Sequence, residues 1–589
     1  MVTRLKTGSA GRSIALLCAA LIGCAASPER PADLAPTQTK AQRKATRGAI
    51  LGSMKTELDR SVKQLRFKDY EAPYFVGYRL TEIEREGVTG KFGAVVADAS
   101  ARDRFVYTEV RVGDYAFDNH ANIDNESFRF ADYEPDKRAP LGSSDDAALR
   151  GVLWLLTDDA YKRALSEYLT KKGGAVYATD EKIDVASFSK EEASSHRGPF
   201  KTMTFDRAAW SRRVARVTKA MRDAPVVLDA QMDVSAQRST RYFVNTEGTE
   251  IVDEHVIYSI QIEAMARADD GMRLQNSRSF YAPTEAELPS DAVLDAEVAK
   301  LLTELQALRD APTIDPYTGP AILMPEASGV LFHEAVGHRL EGERQADEEE
   351  GRTFKGRVGK VVIPDFLSVY DDPTVAIYAG TKLNGAYAYD DEGIASERVT
   401  LIEDGVLRGF LKSRTPIEDA PHSNGHGRAQ GTLKPMARMA NLIVEAEGDM
   451  VVPYADLKVE LMAETRRQGK PYGLIIRDIT GGSTNTSGYG YQAFKGEPVL
   501  IYKVDPETGV ETLVRGAEIV GTPLVSINKI VGASKELGVF NGYCGAESGY
   551  VPVSASAPAL LTTELELQRS QSNKERPPLL PAPWAAPSR

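Results

Sequence analysis

Cysteine is almost absent: the 589-residue chain holds three, Cys18, Cys24 and Cys544. The first two fall in an amino-terminal run that reads as an export signal, with Cys18 removed and Cys24 kept as its lipidation site. Cys544 then has no intrachain partner, which excludes a structural disulfide. An unpaired thiol is a liability in an oxidising compartment, and holding a metal is one reason to keep it. Histidine is also scarce, at seven, so a close pair of histidines is informative. Positive charge is in deficit, with a formal net charge of −12. That balance argues against nucleic acid as a partner and against a main task of lying on anionic lipid. Beyond the amino terminus there is no apolar run long enough to cross a membrane, no complete phosphate-binding glycine loop and no internal repeat.

The first residues carry an address. Arg4, Lys6 and Arg12 precede a short apolar core from Ser13 to Gly23, and Leu21-Ile22-Gly23-Cys24 ends it. That pattern is a bacterial lipoprotein cleavage box. Cleavage before Cys24 would leave a cysteine carrying diacylglycerol and an acylated amino group, and several acyl chains anchor a protein stably. The apolar core is too short to span a bilayer comfortably. Alanine at position 25 directs the expectation to the periplasmic side of the outer membrane in a Gram-negative host.

The strongest chemical signal is Phe332–Arg344, FHEAVGHRLEGER. His333 and His338 are two potential metal ligands, and Glu334 is a carboxylate beside the first. Neutral imidazoles suit Zn²⁺, and in helical HExxH zinc peptidases the Glu after the first His is the general base. Here the histidines are one residue further apart. On a regular helix, positions i and i+5 differ by roughly 140°, so a π-bulge or a helix end near Gly337 must correct the phase. The bland alternative is an amphipathic helix with Val330, Leu331, Val336 and Leu340 inward. A catalytic zinc usually takes three protein ligands. Candidates for the third are Cys544, in the loop-like run Asn541–Gly549, and Glu341 or Glu343, whose other reading is solvated helix-end charge.

Longer segments now resemble a known family, the TldD/PmbA peptidases. They are SGVLFHEAVGHRLEGE at Ser328–Glu343, YDDEGIASERVTLIEDGVLRGFL at Tyr389–Leu411, GHGRAQGTLKPMARMANLIVEAEGD at Gly425–Asp449, GLIIRDITGG at Gly473–Gly482 and the Gly-Tyr-Cys-Gly run ending at Gly545. The resemblance covers the carboxy-terminal half. It implies His333, His338 and Cys544 as ligands of one Zn²⁺ per chain and Glu334 as catalytic base. PmbA-like members lack the metal motif and act as partners, so this chain resembles the metal-bearing TldD-like subunit. It further implies a dimer, either homodimer or heterodimer with a PmbA-like chain, around an enclosed site that admits unfolded or short peptides. Two departures stand out: Gly-Ala-Glu-Ser-Gly follows Cys544 where a basic residue is expected, and familiar members are cytoplasmic.

Periodicity predicts an α+β fold of two domains. The expected order is a signal peptide at 1–23, a disordered tether at 24–48, a mixed amino-terminal domain at 49–312, a β-rich domain carrying the HExxxH helix at 313–567, and a disordered Pro-rich tail at 568–589. Helices are expected over Asp145–Lys171, Arg207–Met221 and Ser290–Arg309, with strands at Phe75–Leu80, Phe105–Val112 and within Gln231–Arg267. In the second domain, strands are expected over Val358–Val369, Val399–Leu411, Ala440–Glu445, Gly473–Ile479, Glu497–Tyr502 and Glu511–Ile519.

Two further clusters carry expectations. His422, His426 and Arg428 have metal-pair spacing but are expected to contact substrate. Asp390-Asp391-Glu392-Gly393 reads as a turn with solvated carboxylates, with a Ca²⁺ site as the alternative. His120, His196 and His255 lie outside these motifs. The expected activity is zinc-dependent peptide hydrolysis with a lipid anchor to the membrane. The competing readings are a zinc amidase or deacylase on envelope substrates, and a non-catalytic binding or assembly subunit.

Overall fold

The computed structural model describes residues 39–120, 135–142, 146–175, 185–346, 350–418, 420–487, 493–570 and 582–584. The export signal, Cys24 and most of the expected tether and tail lie outside the described residues. The amino-terminal domain contains α1 (Lys40–Gln64), β1 (Pro73–Lys91), β2 (Ala94–Val112), α2 (Asp146–Ala175), β3 (Ser195–Arg197), α3 (Arg207–Arg222), β4 (Asp229–Asn245), β5 (Glu250–Arg267), β6 (Arg273–Ala282) and α4 (Asp291–Asp310). Its six-stranded sheet runs β2-β1-β4-β5-β3, with β6 also on β5. Strand alternation sorts its two faces. Val76, Tyr78, Leu80, Val106 and Val110 join a core with α1 and α2, while Met232, Val234, Tyr258, Ile260 and Ile262 join one with α3 and α4.

α1 begins earlier than the expected end of the tether. Thr39 and Gln42 cap it reciprocally: Gln42 N donates to Thr39 Oγ1 at 3.2 Å and Thr39 N donates to Gln42 Oε1 at 2.8 Å. This Thr-x-x-Gln box is a helix start. Burial of Arg47 against Glu254, 2.7 Å away, carries the buried stripe back past Ile50.

The second domain opens with β7 (Tyr317–Leu323), α5 (Pro325–Ala335), a 3₁₀ turn (Gly337–Leu340), α6 (Glu343–Ala346) and β8 (Leu367–Asp371). Short pieces follow: β9 (Ile377–Tyr378), β10 (Thr381–Lys382), β11 (Val399–Glu403), β12 (Val406–Leu407), β13 (Gly427–Arg428) and β14 (Met436–Ala437). Then come β15 (Asn441–Ala446), β16 (Val451–Val452), α7 (Tyr454–Arg467), β17 (Gly473–Thr484), β18 (Phe494–Val504), β19 (Glu511–Val514), β20 (Ala517–Gly521), α8 (Pro523–Ile527), β21 (Ile530–Ala546) and β22 (Gly549–Arg569). In the twelve-stranded sheet the path β22-β20-β18-β17-β7 returns to β22, closing a ring. Along β7, Ala321 and Leu323 join the main core with α5, whereas Ile322 joins Leu457 and Leu461 of α7 on the other face.

Three expectations need correction, and one helix lies where none is expected. Val358–Val369 is strand only from Leu367, because Gly356 and Gly359 adopt φ of 67° and 79° and turn the chain first. Cys544 lies on β21 rather than in a loop, paired with Val551 across the hairpin. The chain remains in β22 to Arg569, past the expected start of the tail. α7 was not expected, although its buried Leu457, Leu461 and Thr465 recur at helical spacing.

Leu461 is fully buried and Val459 is 60% exposed on the same helix. Leu461→Ala should lower unfolding free energy by about 2–5 kcal/mol, and Val459→Ala should change it by less than about 0.5 kcal/mol. Urea denaturation of the two variants checks this.

Candidate metal centre

Pro325 starts α5 directly after β7, so the helix inherits its position from the ring. The phase problem of the HExxxH spacing is solved by ending the helix, not by a π-bulge. α5 stops at Ala335, Val336 takes φ −117° and ψ −53°, and the 3₁₀ turn follows. The tighter turn swings His338 back beside His333, with ring centroids 5.0 Å apart and planes at 87°. Gly337 is required by close approach: a Cβ there would lie 2.0 Å from Met439 Sδ.

Cys544 completes a triangle. Its Sγ is 3.2 Å from His333 Nε2 and 3.3 Å from His338 Nε2. Among the described residues this is the one His/Cys/Asp/Glu group whose ligand atoms all lie within 4.8 Å of one another. Tetrahedral Zn²⁺ with ordinary Zn–N and Zn–S bonds places N and S about 3.5 Å apart, so the donor set and its spacing fit zinc. Burial opposes charge on the thiol, but the two imidazoles outweigh it and hold Cys544 well below the ordinary thiol range. The thiolate in turn raises His333 and, more strongly, His338 against the effect of burial.

Glu341 is neither a rival ligand nor solvated. It is fully buried and faces the other ring nitrogen, with Oε1 3.1 Å from His338 Nδ1. An ionised carboxylate only accepts, so Nδ1–H donates and Nε2 is left for the metal side. Burial works against its ionisation, but His338, Arg344 and Arg438 hold Glu341 far below the usual carboxylate range. Glu343 is also turned away, accepting from Ala437 N at 3.1 Å and from Ser413 Oγ.

Glu334 is 8% exposed and borders a cavity of about 10 Å³ lined by Ala327, Val330, Leu331, Ile479, Phe494, Lys495, Gly496 and Ile519. Burial raises its pKa against the pull of His333 and His338. A carboxyl poised in this way suits proton transfer. Arg339 ties the helix end to β17, donating to Glu334 O at 2.8 Å, Thr484 Oγ1 at 2.9 Å and Asn485 O at 3.0 Å. Burial lowers this guanidinium to about 10.

The other expected site residues do not converge. His422 is exposed, 3.5 Å from Glu191. His426 is fully buried between Asp371, 3.2 Å from its Nε2, and the carbonyl of Asn424, 2.9 Å from its Nδ1. Arg428 is buried and donates to Met439 O at 2.6 Å and Pro552 O at 2.9 Å. His426 and Arg428 thus spend their polar atoms on the protein's own groups. Asp390 is buried and Asp391 half-buried, rather than freely solvated. Asp390 accepts from the N–H groups of Glu392, Ile394 and Gly427, each at 2.9 Å. Asp391 accepts from Arg241 at 2.7 Å, so these oxygens are already occupied and no Ca²⁺ cage is formed.

A family model described as the PmbA/TldA metallopeptidase C-terminal domain matches residues 316–569. A metalloprotease of Methanocaldococcus jannaschii is 32% identical over 234 residues, 39% of this chain and 47% of its own. A metalloprotease TldD homologue of Haemophilus influenzae is 29% identical over 283 residues, 46% of this chain and 54% of its own. The chain thus spans about half the length of these curated relatives. The solved structure of TldE from Thermococcus kodakarensis superposes with a TM-score of 0.54 at 14% identity, covering 88% of this chain and 100% of that one. At that identity the likeness carries the fold, an α+β architecture of two domains.

Two predictions follow from these contacts. Gly337→Ala must displace Met439 or His338, so it should cost about 1–3 kcal/mol and weaken metal binding at the His333–His338–Cys544 group; thermal unfolding and elemental analysis after metal loading read the two effects. Burial and the nearby Asp390 carboxylate raise Glu392 well above its ordinary value of 4.5. Above that ordinary value the folded state binds the extra proton, so this group's contribution to stability falls as pH rises. Glu392→Gln should therefore raise the unfolding midpoint at neutral pH, with the gain shrinking as pH falls into the ordinary carboxylate range. A thermal series across pH checks the sign.

Proposed function

The chain belongs to the TldD/PmbA family, and from that membership and the His333–His338–Cys544 triangle we propose that it is a zinc-dependent metallopeptidase acting on unfolded or short peptides. The observation that carries the reading is the convergence of three zinc-type ligand atoms within 4.8 Å beside the buried Glu334. His333 Nε2, His338 Nε2 and Cys544 Sγ would hold one Zn²⁺, leaving a fourth position open as catalytic sites do. Zinc bound there supplies Lewis acidity toward a carbonyl and toward water.

The protein's own groups do the rest. The Glu334 carboxylate takes a proton from the attacking water and returns it to the departing amine nitrogen, a role its raised pKa suits. Glu341 keeps the proton of His338 on Nδ1, away from the ligand side. Arg339 fixes the end of α5 through the Glu334 and Ala335 carbonyls, so the base cannot drift with a fraying helix. The fold shared with TldE from Thermococcus kodakarensis supports assembly with a second copy or a PmbA-like chain. The run ending Leu21-Ile22-Gly23-Cys24 supports export and lipid anchoring at Cys24, on the periplasmic side of the outer membrane.

Wild type should cut a mixed library of unfolded peptides, and Glu334→Ala at matched zinc occupancy should lose at least about 10²-fold in rate. Mass spectrometry of new peptide termini reads both. Murein cleavage with an untouched peptide library would instead identify an amidase. Metabolic labelling with palmitate should mark the wild-type chain and leave Cys24→Ala unlabelled.

A further inference from the structure

The three ligand atoms come from segments far apart in sequence, and a single buried side chain touches the supports of two of them. Arg438 is fully buried. Its Nε lies 3.5 Å from Glu341 Oε1, the oxygen that holds His338 Nδ1. Its Nη2 donates to the carbonyl of Cys544 at 2.8 Å. Its Nη1 donates to Ser548 Oγ at 2.9 Å and Gly549 O at 3.0 Å, at the turn that joins β21 to β22. The neighbouring Met439 is the residue that fills the space beside Gly337.

A planar guanidinium has donors in a fixed fork: the two Nη groups hydrogen-bond the cysteine hairpin, while Nε makes no hydrogen bond and holds the charge 3.5 Å from the carboxylate of the histidine arm. Lysine would keep the charge toward Glu341 but could not make the same set of bonds. Arg344 reinforces the arrangement from outside, donating from Nε to Glu341 at 2.8 Å and from Nη2 to Glu547 at 2.9 Å. Glu547 stands in the run after Cys544 that lacks the expected basic residue. Here the cation reaches the hairpin from the motif side instead.

We propose that Arg438 is a positioning residue of the metal centre, locking the Cys544 hairpin to the Glu341–His338 arm so that thiolate and imidazole meet in one coordination geometry. The proposal rests on the zinc reading above. The test uses Co²⁺ and Zn²⁺ on the full mature chain. Chelator competition gives zinc affinity, and the cobalt–thiolate charge-transfer band reports whether Cys544 is bound. Arg438→Lys should weaken zinc binding about 10–100-fold and reduce or shift the cobalt–thiolate band. Glu341→Gln, which keeps the side chain's shape, should weaken binding in the same direction. The double variant should bind little worse than Arg438→Lys alone, because both act along one route. Arg414→Lys is the control: Arg414 is equally buried and pairs with Glu247 at 2.7 Å, away from the ligands, and its loss should leave affinity and band unchanged.

Wild-type affinity and band in Arg438→Lys overturn the proposal, as does the same loss in Arg414→Lys. If Arg438→Lys does not fold, Glu341→Gln with unchanged affinity overturns it equally. Absence of the band in wild type would instead sink the zinc-site reading itself.

Discussion

The site depends on the register of one hairpin. Cys544 sits opposite Val551, and strand side chains alternate faces, so a slip of one residue would turn the sulfur away from the histidines and present Tyr543 or Gly545 instead. β22 holds this register by pairing with β7 and β20 as well as β21. β7 leads directly into α5, which carries His333 and Glu334. The ring of strands thus links the helix and the cysteine, although the two ligands are 211 positions apart.

That backbone frame leaves buried charge to be settled by side chains. Isolated burial of Glu341 would be costly, yet it is ionised because His338, Arg344 and Arg438 surround it. Removing any one of them would weaken that compensation. The same web fixes which nitrogen of His338 carries the proton. Coordination chemistry and structural electrostatics are therefore one system here, and the proposed general base feels the same His338. Glu334 is set apart by its surroundings, where desolvation raises its proton affinity.

Much of this was legible in the sequence where local pattern decides. Helical spacing marked α2, α3 and α4, and strand alternation marked β1, β2, β4 and β5, though the strands run longer than their apolar centres. The HExxxH spacing announced its own irregularity, and the Gly337 break is where that irregularity is resolved. What escaped was set by contacts distant in sequence. Nothing near Arg438 signals that it reaches Cys544 O, and nothing in Asp390-Asp391-Glu392 reveals that Gly427 N and Arg241 occupy the carboxylates. Glu341 was visible as an i+3 neighbour of His338, but its orientation followed only from burial. Thr39–Gln42 and Leu457–Leu461 do carry local signals, a capping box and helical spacing.

The central claim is that two imidazoles and one thiolate form a single open zinc site. X-ray absorption spectroscopy of the zinc-loaded protein tests it most directly. The account predicts one sulfur at about 2.3 Å and two imidazole nitrogens at about 2.0–2.1 Å, with a light-atom ligand completing four-coordination. A shell without sulfur, or one closed by four protein ligands, would contradict it.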